Sequence, residues 1–347
     1  MAVHRWKLIG LLSVACFPTA APPSWAQTPA QPAAGDKLAP EVAVEKGIQK
    51  IEMGDLADAG RLLQYAASLK PTLESLKLGQ GLLFVANNQG PKAISALGAY
   101  NATDEGKRDY RGFASLGKVY LQSRMLRQAI SPLRQAMALA PPEKDGKPIR
   151  AGITIDLATV YLRLKDRDKT LELIKEAQAA ARDDGESQLR VSELAAATAD
   201  VELANTTANR AIELLRGKII DDAFNVEAHT MMKRAYEVLG SLLNNNIKND
   251  PKNGEHYFYY TRVLREAAEL DRRIGFLSAR EMALRAIEQD PKNSLWQLSA
   301  VRLELELGGI ADAKTRLDAI LEYDPTNEEA LRLKQRAETP SPRAALP

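Results

Sequence analysis

The sequence has a single cysteine, Cys16, three histidines, aromatic residues at only 5% of positions, and a formal net charge of +2. Each shortage excludes something. One cysteine rules out an internal disulfide, and a mature chain cut after Ala26, which loses Cys16, also has no thiolate metal ligand. His4, His229 and His256 are scattered, and the chain contains no HExxH, no glycine-rich phosphate loop and no GxSxG elbow, so metal, nucleotide and acyl-transfer chemistry have no motif to rest on. Carboxylates are plentiful but read as solvated helix charge, and no acid-base pair stands out. Balanced, interspersed charge gives no electrostatic case for nucleic acid or an acidic membrane. No cofactor and no metal is expected, and a non-enzymatic role follows.

Long apolar runs are lacking too. The most apolar stretch, Leu8 to Phe17, is ten residues, well short of the roughly 20 that span a bilayer. It follows His4, Arg5 and Lys7 and precedes the small-x-small exit Ser24-Trp25-Ala26, the pattern of a secretory signal cut after Ala26. Residues 1–26 are therefore read as a signal peptide and the mature chain as periplasmic or secreted, in a bacterial envelope, with no membrane span. Removing Arg5 and Lys7 lowers Lys plus Arg from 47 to 45, equal to the 45 Asp plus Glu, and removes Cys16. A second reading of this segment is lipidation. Leu12-Ser13-Val14-Ala15-Cys16 loosely resembles a bacterial lipoprotein box, although Ser13 stands where a large apolar residue is usual.

Residues 27–39, rich in Pro, Ala and Gln, lack apolar periodicity and predict a disordered leader. Beyond it one pattern recurs. In Tyr110 to Pro141, Phe113, Leu116, Gly117 and Tyr120 share one helix, and Ala129, Leu133, Ala136 and Pro141 mark a second helix and its stop. Gly47, Gly54, Leu56, Ala59, Leu63, Ala66 and Pro71 match this stretch without a gap, and Gly81, Phe84 and Ala93 follow 34 residues after the first set. Leu157, Ala158, Tyr161, Thr170, Ile174 and Ala177 continue it after an irregular surface loop, Pro142 to Pro148. Ala267, Ala279, Ala286 and Pro291, then Gly308, Ile310, Ala313, Leu317 and Pro325, restore it near the carboxyl end. Glycine inside a helix costs about 0.5–1 kcal/mol, so Gly47, Gly81 and Gly117 at one register predict close helix approach.

The pattern resembles the tetratricopeptide repeat (TPR), a helix-turn-helix unit of about 34 residues. The resemblance implies an all-α fold, a right-handed α-solenoid of such repeats. Residues 40–182 form an amino-terminal array. Residues 183–254 form an irregular helical segment, with helices over Leu189 to Leu203, Ala208 to Ile220 and Val226 to Ile247, one helix left without a partner, and a break at Asp221 to Asn225. Residues 255–338 form a carboxyl-terminal array with a capping helix, and 339–347 a disordered tail. Asp250-Pro251-Lys252-Asn253 recurs as Asp290-Pro291-Lys292-Asn293 and, more loosely, as Asp324-Pro325-Thr326-Asn327, predicting between-unit turns in which Asn caps the next helix.

In proteins of this kind the first helix of each unit lines a concave groove. That register places Val44, Ile48, Ile51 and Glu52 in the groove, then Leu78, Leu82 and Val85, then Arg111, Ala114, Lys118, Leu121 and Gln122, then Ile155, Thr159, Leu162 and Arg163. An apolar half followed by a basic strip of Arg111, Lys118 and Arg163 suits an amphipathic peptide with an acidic part. The other reading of the apolar positions is contact with the neighbouring helix. The carboxylate clamp of chaperone-binding relatives needs Lys and Asn where Val44 and Ile48 stand. The implied function is a protein-interaction scaffold of an envelope or export assembly. The alternative is a polysaccharide-binding or polysaccharide-export accessory using the run His256-Tyr257-Phe258-Tyr259-Tyr260, in which Tyr257, Tyr259 and Tyr260 are candidate contacts, since four consecutive helical aromatics cannot all face one core.

Overall fold

The computed structural model describes residues 38–270 and 275–338. The segment read as a signal with its Cys16, the leader up to residue 37 and the tail from 339 lie outside the described residues.

The described residues are all-α, an α-solenoid of paired helices with no strand among them, and fall into two compact units that divide within α4. The first holds α1 (Pro40–Glu52), α2 (Leu56–Leu69), α3 (Glu74–Ala86) and the start of α4 (Gly90–Asn101). Leu63 of α2 is its wedge. A Cβ on Gly47 of α1 would lie 3.1 Å from Leu63, and one on Gly79 of α3 only 2.5 Å from it. Both helices come this close because neither carries a side chain there. In α3 the approach to α2 is made at Gly79, two residues before the Gly81 of the repeat register.

The second unit continues with α5 (Tyr110–Gln122), α6 (Leu126–Leu139), α7 (Ile149–Arg163), α8 (Arg167–Ala180), α9 (Gly185–Ala197), α10 (Val201–Asp221), α11 (Val226–Asn249), α12 (Gly254–Ala268), α13 (Gly275–Gln289), α14 (Ser294–Glu306), α15 (Ile310–Tyr323) and α16 (Glu328–Glu338). Helices α5 to α16 each pack on the next, and α5 on α7, α7 on α9, α9 on α11 and α14 on α16 also touch, the contact pattern of stacked hairpins. Gly117 repeats the role of Gly47: its Cβ would sit 2.5 Å from Cγ of the fully buried Leu133. Ala129, Ala136, Leu157, Ala158, Ile174 and Ala177 are buried as the repeat spacing predicts.

Two turn types punctuate the chain. Turns inside a pair centre on a left-handed residue: Gly54, Asn88, Arg124, Lys165, Ala199 and Gly308 have φ between 56° and 80°. In each, the next N–H reaches back five residues, as Asp55 to Lys50 and Met125 to Tyr120, so the last carbonyls of the first helix are satisfied. Turns between pairs end on a capping Asp before α5 and α9 and on a capping Asn before α11, α12, α14 and α16. Asn225, Asn253 and Asn293 accept from the N–H of the helix each one starts, and Asn327 accepts from Ala330 N–H at 3.0 Å. The loop after α6 carries a tight turn, in which Lys144 and Lys147 exchange backbone hydrogen bonds across Asp145 and Gly146.

Two boundaries differ from the sequence reading. The helix expected over Leu189 to Leu203 is two: α9 stops at Ala197, Ala199 turns left-handed and Asp200 caps α10, so the second predicted helix starts at Val201. The unpaired helix is α11. It is flanked on both sides by between-pair turns, Asp222 to Asn225 and Asp250 to Asn253. With 24 residues, after 21 in α10, it exceeds every other helix in the described residues.

Candidate functional site

The first helices of three successive pairs, α5, α7 and α9, and the unpaired α11 lie side by side and open a trough of about 700 Å³ between Lys118 of α5 and Arg234 of α11. Its floor is the apolar trio Ile155, Leu194 and Met231. Acid and base meet along its walls, where Asp156 of α7, Arg190 and Glu193 of α9 and Arg234 of α11 come side by side. The Arg190 guanidinium pairs with Asp156, joining α9 to α7. That of Arg234 donates to both oxygens of Glu193 at 2.7 and 2.8 Å, joining α11 to α9. These pairs are only partly shielded from water and contribute about 1 kcal/mol or less each; their effect is to fix the spacing of the three helices. Lys118, Glu186 and Glu227 also line the trough and have no ion-pair partner among the described residues.

The predicted site residues divide into four groups. Lys118, Thr159 and Ile155 line the trough. Thr159 bends its hydroxyl back to the Ile155 carbonyl at 2.8 Å, which leaves its methyl as its trough-facing chemistry. Glu52 and Gln122 are exposed, and Leu82 and Val85 half-buried. The third group is a correction: Ile48 at 3% exposure and Leu78 at 0%, with Val44 alongside them, are core. A Cβ on Gly79 would sit 3.5 Å from Val44, so the small residue that draws α3 against α2 also brings it against Val44 of α1. Of the two readings of the apolar positions, neighbouring-helix contact holds at Ile48 and Leu78. Fourth, the basic strip is not a strip. Arg163 donates to the Leu121 carbonyl at 3.1 Å. Arg111 grips Asp109, with Nε at 3.0 and 3.1 Å from its two oxygens.

Asp109 in turn caps α5 through the Arg111 N–H and accepts a 2.8 Å hydrogen bond from the fully buried Tyr100. Burial pushes the Asp109 carboxyl up, but the hydrogen bonds and charge of Arg111 outweigh it and hold the group below the usual carboxylate range. Burial, and then the hydrogen bond to Asp109, drives the Tyr100 phenol far above its ordinary value. This is a structural knot at the start of the best repeat, built around a residue that the groove register assigned to ligand.

The aromatic run also turns inward. Tyr257 is 6% exposed and donates to the Pro251 carbonyl at 3.0 Å, a correction to its place among the contact residues. Phe258 stacks on Trp296, with ring centres 6.3 Å apart. Tyr260 covers Gly240, where a Cβ would lie 3.3 Å from its ring, and burial raises its phenol. Tyr259 alone of the four rings is exposed, at 48%. Its ring lies 5.8 Å from that of the half-buried Phe258, tilted by 55°.

Sequence reasoning missed Asp156, Glu186, Arg190, Glu193, Glu227 and Arg234. The first is in a clear repeat at a position next to the chosen ones. The others fall where the register blurs, and the available signal was the pairing distance: Asp156 to Arg190 spans 34 residues, one repeat. His229 hydrogen-bonds the Asn225 carbonyl at 2.8 Å, and among the described residues no group of three or more His, Cys, Asp or Glu could hold a metal. No described helix is long and apolar enough to cross a membrane. The amide atoms of Asn101, in the triplet Asn101-Ala102-Thr103, are buried and so closed to glycosylation.

No protein-family model matches the chain, and no curated protein sequence matches it. Among solved structures it is similar to PilF of Pseudomonas aeruginosa, with 14% identity over 71% of this chain and 96% of that one, at a TM-score of 0.47. It is similar to YrrB, described as a TPR protein with an unusual peptide-binding site, with 14% identity over 67% and 95% and a TM-score of 0.37. It is similar also to a thermophilic TPR protein of Thermus thermophilus, with 19% identity over 58% and 99% and a TM-score of 0.45. At these scores the likenesses carry no further argument; the repeat fold stands on this chain's own small-residue contacts and turns.

Proposed function

We propose that the protein is a non-enzymatic interaction scaffold that holds an extended peptide segment of a partner protein in the α5–α7–α9–α11 trough. The observation that carries this reading is the charge pattern. Arg190–Asp156 and Arg234–Glu193 neutralise one another, which leaves Lys118 on α5 and Glu186 and Glu227 on α9 and α11 for a ligand. The matching segment carries an acidic residue toward α5, apolar side chains over Leu194 and Met231, and a basic residue toward α11. This keeps the acidic element expected from sequence, but with Lys118 as its receptor in place of a three-residue basic strip. The envelope or export setting, and a periplasmic or secreted location, rest on the signal-like pattern of residues 1–26.

The test is fluorescence anisotropy with labelled twelve-residue peptides of the order acidic, apolar, basic, against peptides of the same composition in reverse order. The first should bind more tightly, weaken as salt rises, and lose its advantage with Lys118→Glu. Equal binding of both orders, or Lys118→Glu leaving the preference intact, overturns the assignment.

A further inference from the structure

The lengthened helices α10 and α11 end in a turn that presents apolar side chains to water. Phe224 is 91% exposed, Ile220 77% and Val226 75%. The turn is held firmly: Phe224 N–H donates to the Asp222 carboxylate at 3.0 Å, Asn225 N–H reaches the Asp222 carbonyl at 3.1 Å, and Asn225 caps α11. A turn whose backbone is already fixed presents Phe224 without further backbone ordering on docking, which favours it as an anchor residue. Asp221 and Asp222 give this knob a negative collar.

Elsewhere on the same unit is a matching socket. Phe113, Leu116 and Tyr120 of α5 and Pro132 of α6, with Gly98, line a cavity of about 490 Å³, with Gln128, Ser131 and Gln135 at its polar edge. The α5–α6 hairpin around it carries Arg124 and Arg127 and no acidic residue from Tyr110 to Ala140. Arg127 is exposed and lies four residues before Ser131, hence on the same helix face. Arg124, in the turn before α6, is exposed as well.

We infer that the Phe224 knob of one molecule enters the α5–α6 socket of a second copy of this chain, the acidic collar meeting Arg124 and Arg127. The fit is of both shape and charge, whereas two knobs meeting tip to tip would oppose Asp221 and Asp222 to their own kind. Because knob and socket are different surfaces, the contact is head-to-tail, and an open assembly keeps one free knob at one end and one free socket at the other. This surface is distinct from the trough, so it stands or falls apart from the peptide-binding reading.

Sedimentation velocity of the full chain tests it. Wild-type protein should associate with rising concentration at low salt and dissociate at high salt. Phe224→Ser should weaken association by about thirtyfold or more. Ser131→Glu combined with Gln135→Glu, exposed changes that bring acid to the socket edge, should do the same with unchanged far-ultraviolet dichroism. An equimolar mixture of the two variants should form a one-to-one dimer and nothing larger, since one retains its socket and the other its knob. Wild-type protein that stays monomeric to about 100 µM at low salt, far above the range of a specific contact, overturns the inference. So does a socket variant that associates like wild type, which would mean that the knobs meet each other, or a mixture that fails to dimerise.

Discussion

Gly117→Ala separates two opposing effects whose sizes the structure supplies. Alanine in a helix interior is favoured over glycine by about 0.5–1 kcal/mol. At Gly117 the added methyl would stand 2.5 Å from Cγ and 2.7 Å from Cδ2 of Leu133, and 3.4 Å from its backbone nitrogen. Cγ of Leu133 moves only by rotation about its Cα–Cβ bond, and the full burial of Leu133 leaves no space for another rotamer, so α5 and α6 must part. Overpacking of this kind costs about 1–3 kcal/mol, so the net result is destabilisation by up to about 2.5 kcal/mol. Gly217→Ala is the counterpart: Gly217 is exposed inside α10 with nothing within 4 Å of its Cβ position, and should stabilise by about 0.5–1 kcal/mol. Repeat arrays need not unfold as one step, so the assay is hydrogen exchange in the α5, α6 and α10 peptides, followed by mass spectrometry, alongside urea unfolding. A Gly117→Ala variant whose α5 and α6 amides exchange as slowly as wild type or more slowly would refute the packing argument.

Ala129→Leu, at a fully buried position on α6, should weaken the same hairpin by about 1–3 kcal/mol in urea unfolding. Lys165→Gly should stabilise by about 1 kcal/mol, because Lys165 has φ of 63°, where a Cβ is strained; an unchanged or lower urea midpoint counts against this. The depressed Asp109 carboxyl contributes stability that is fully present above its unfolded pKa, about 3.9, and is lost as pH falls through its lower folded value. Asp109→Asn should therefore flatten the loss of α5 protection below about pH 4, and an unaltered pH profile would show that other carboxylates dominate. Glu304, 1% exposed and held by Arg316 at 3.0 Å, should cost about 2–4 kcal/mol when changed to Ala, read from Trp296 fluorescence on the same helix.

What the sequence determined by itself is whatever depends on local periodicity and on the size of a side chain. Small residues at Gly47, Gly117, Ala129 and Ala177 imply helices drawn together, and the Asp-x-x-Asn spacing implies a stop and a cap, because each is a property of a few neighbouring residues. The left-handed turns at Arg124, Lys165 and Ala199 were not legible, since the residues occupying them have no preference for that conformation and accept it only because the following helix is held by packing. The division of the groove register into core and surface was decided by the tertiary structure alone. Ile48 and Leu78 present the same chemistry as Leu82 and Val85; the difference is the neighbouring helix, which comes close enough to cover the first two because Gly79 leaves it room. The charged trough follows the same logic: Asp156, Arg190, Glu193 and Arg234 are ordinary surface residues one by one, and become a site when stacking sets one repeat beside the next.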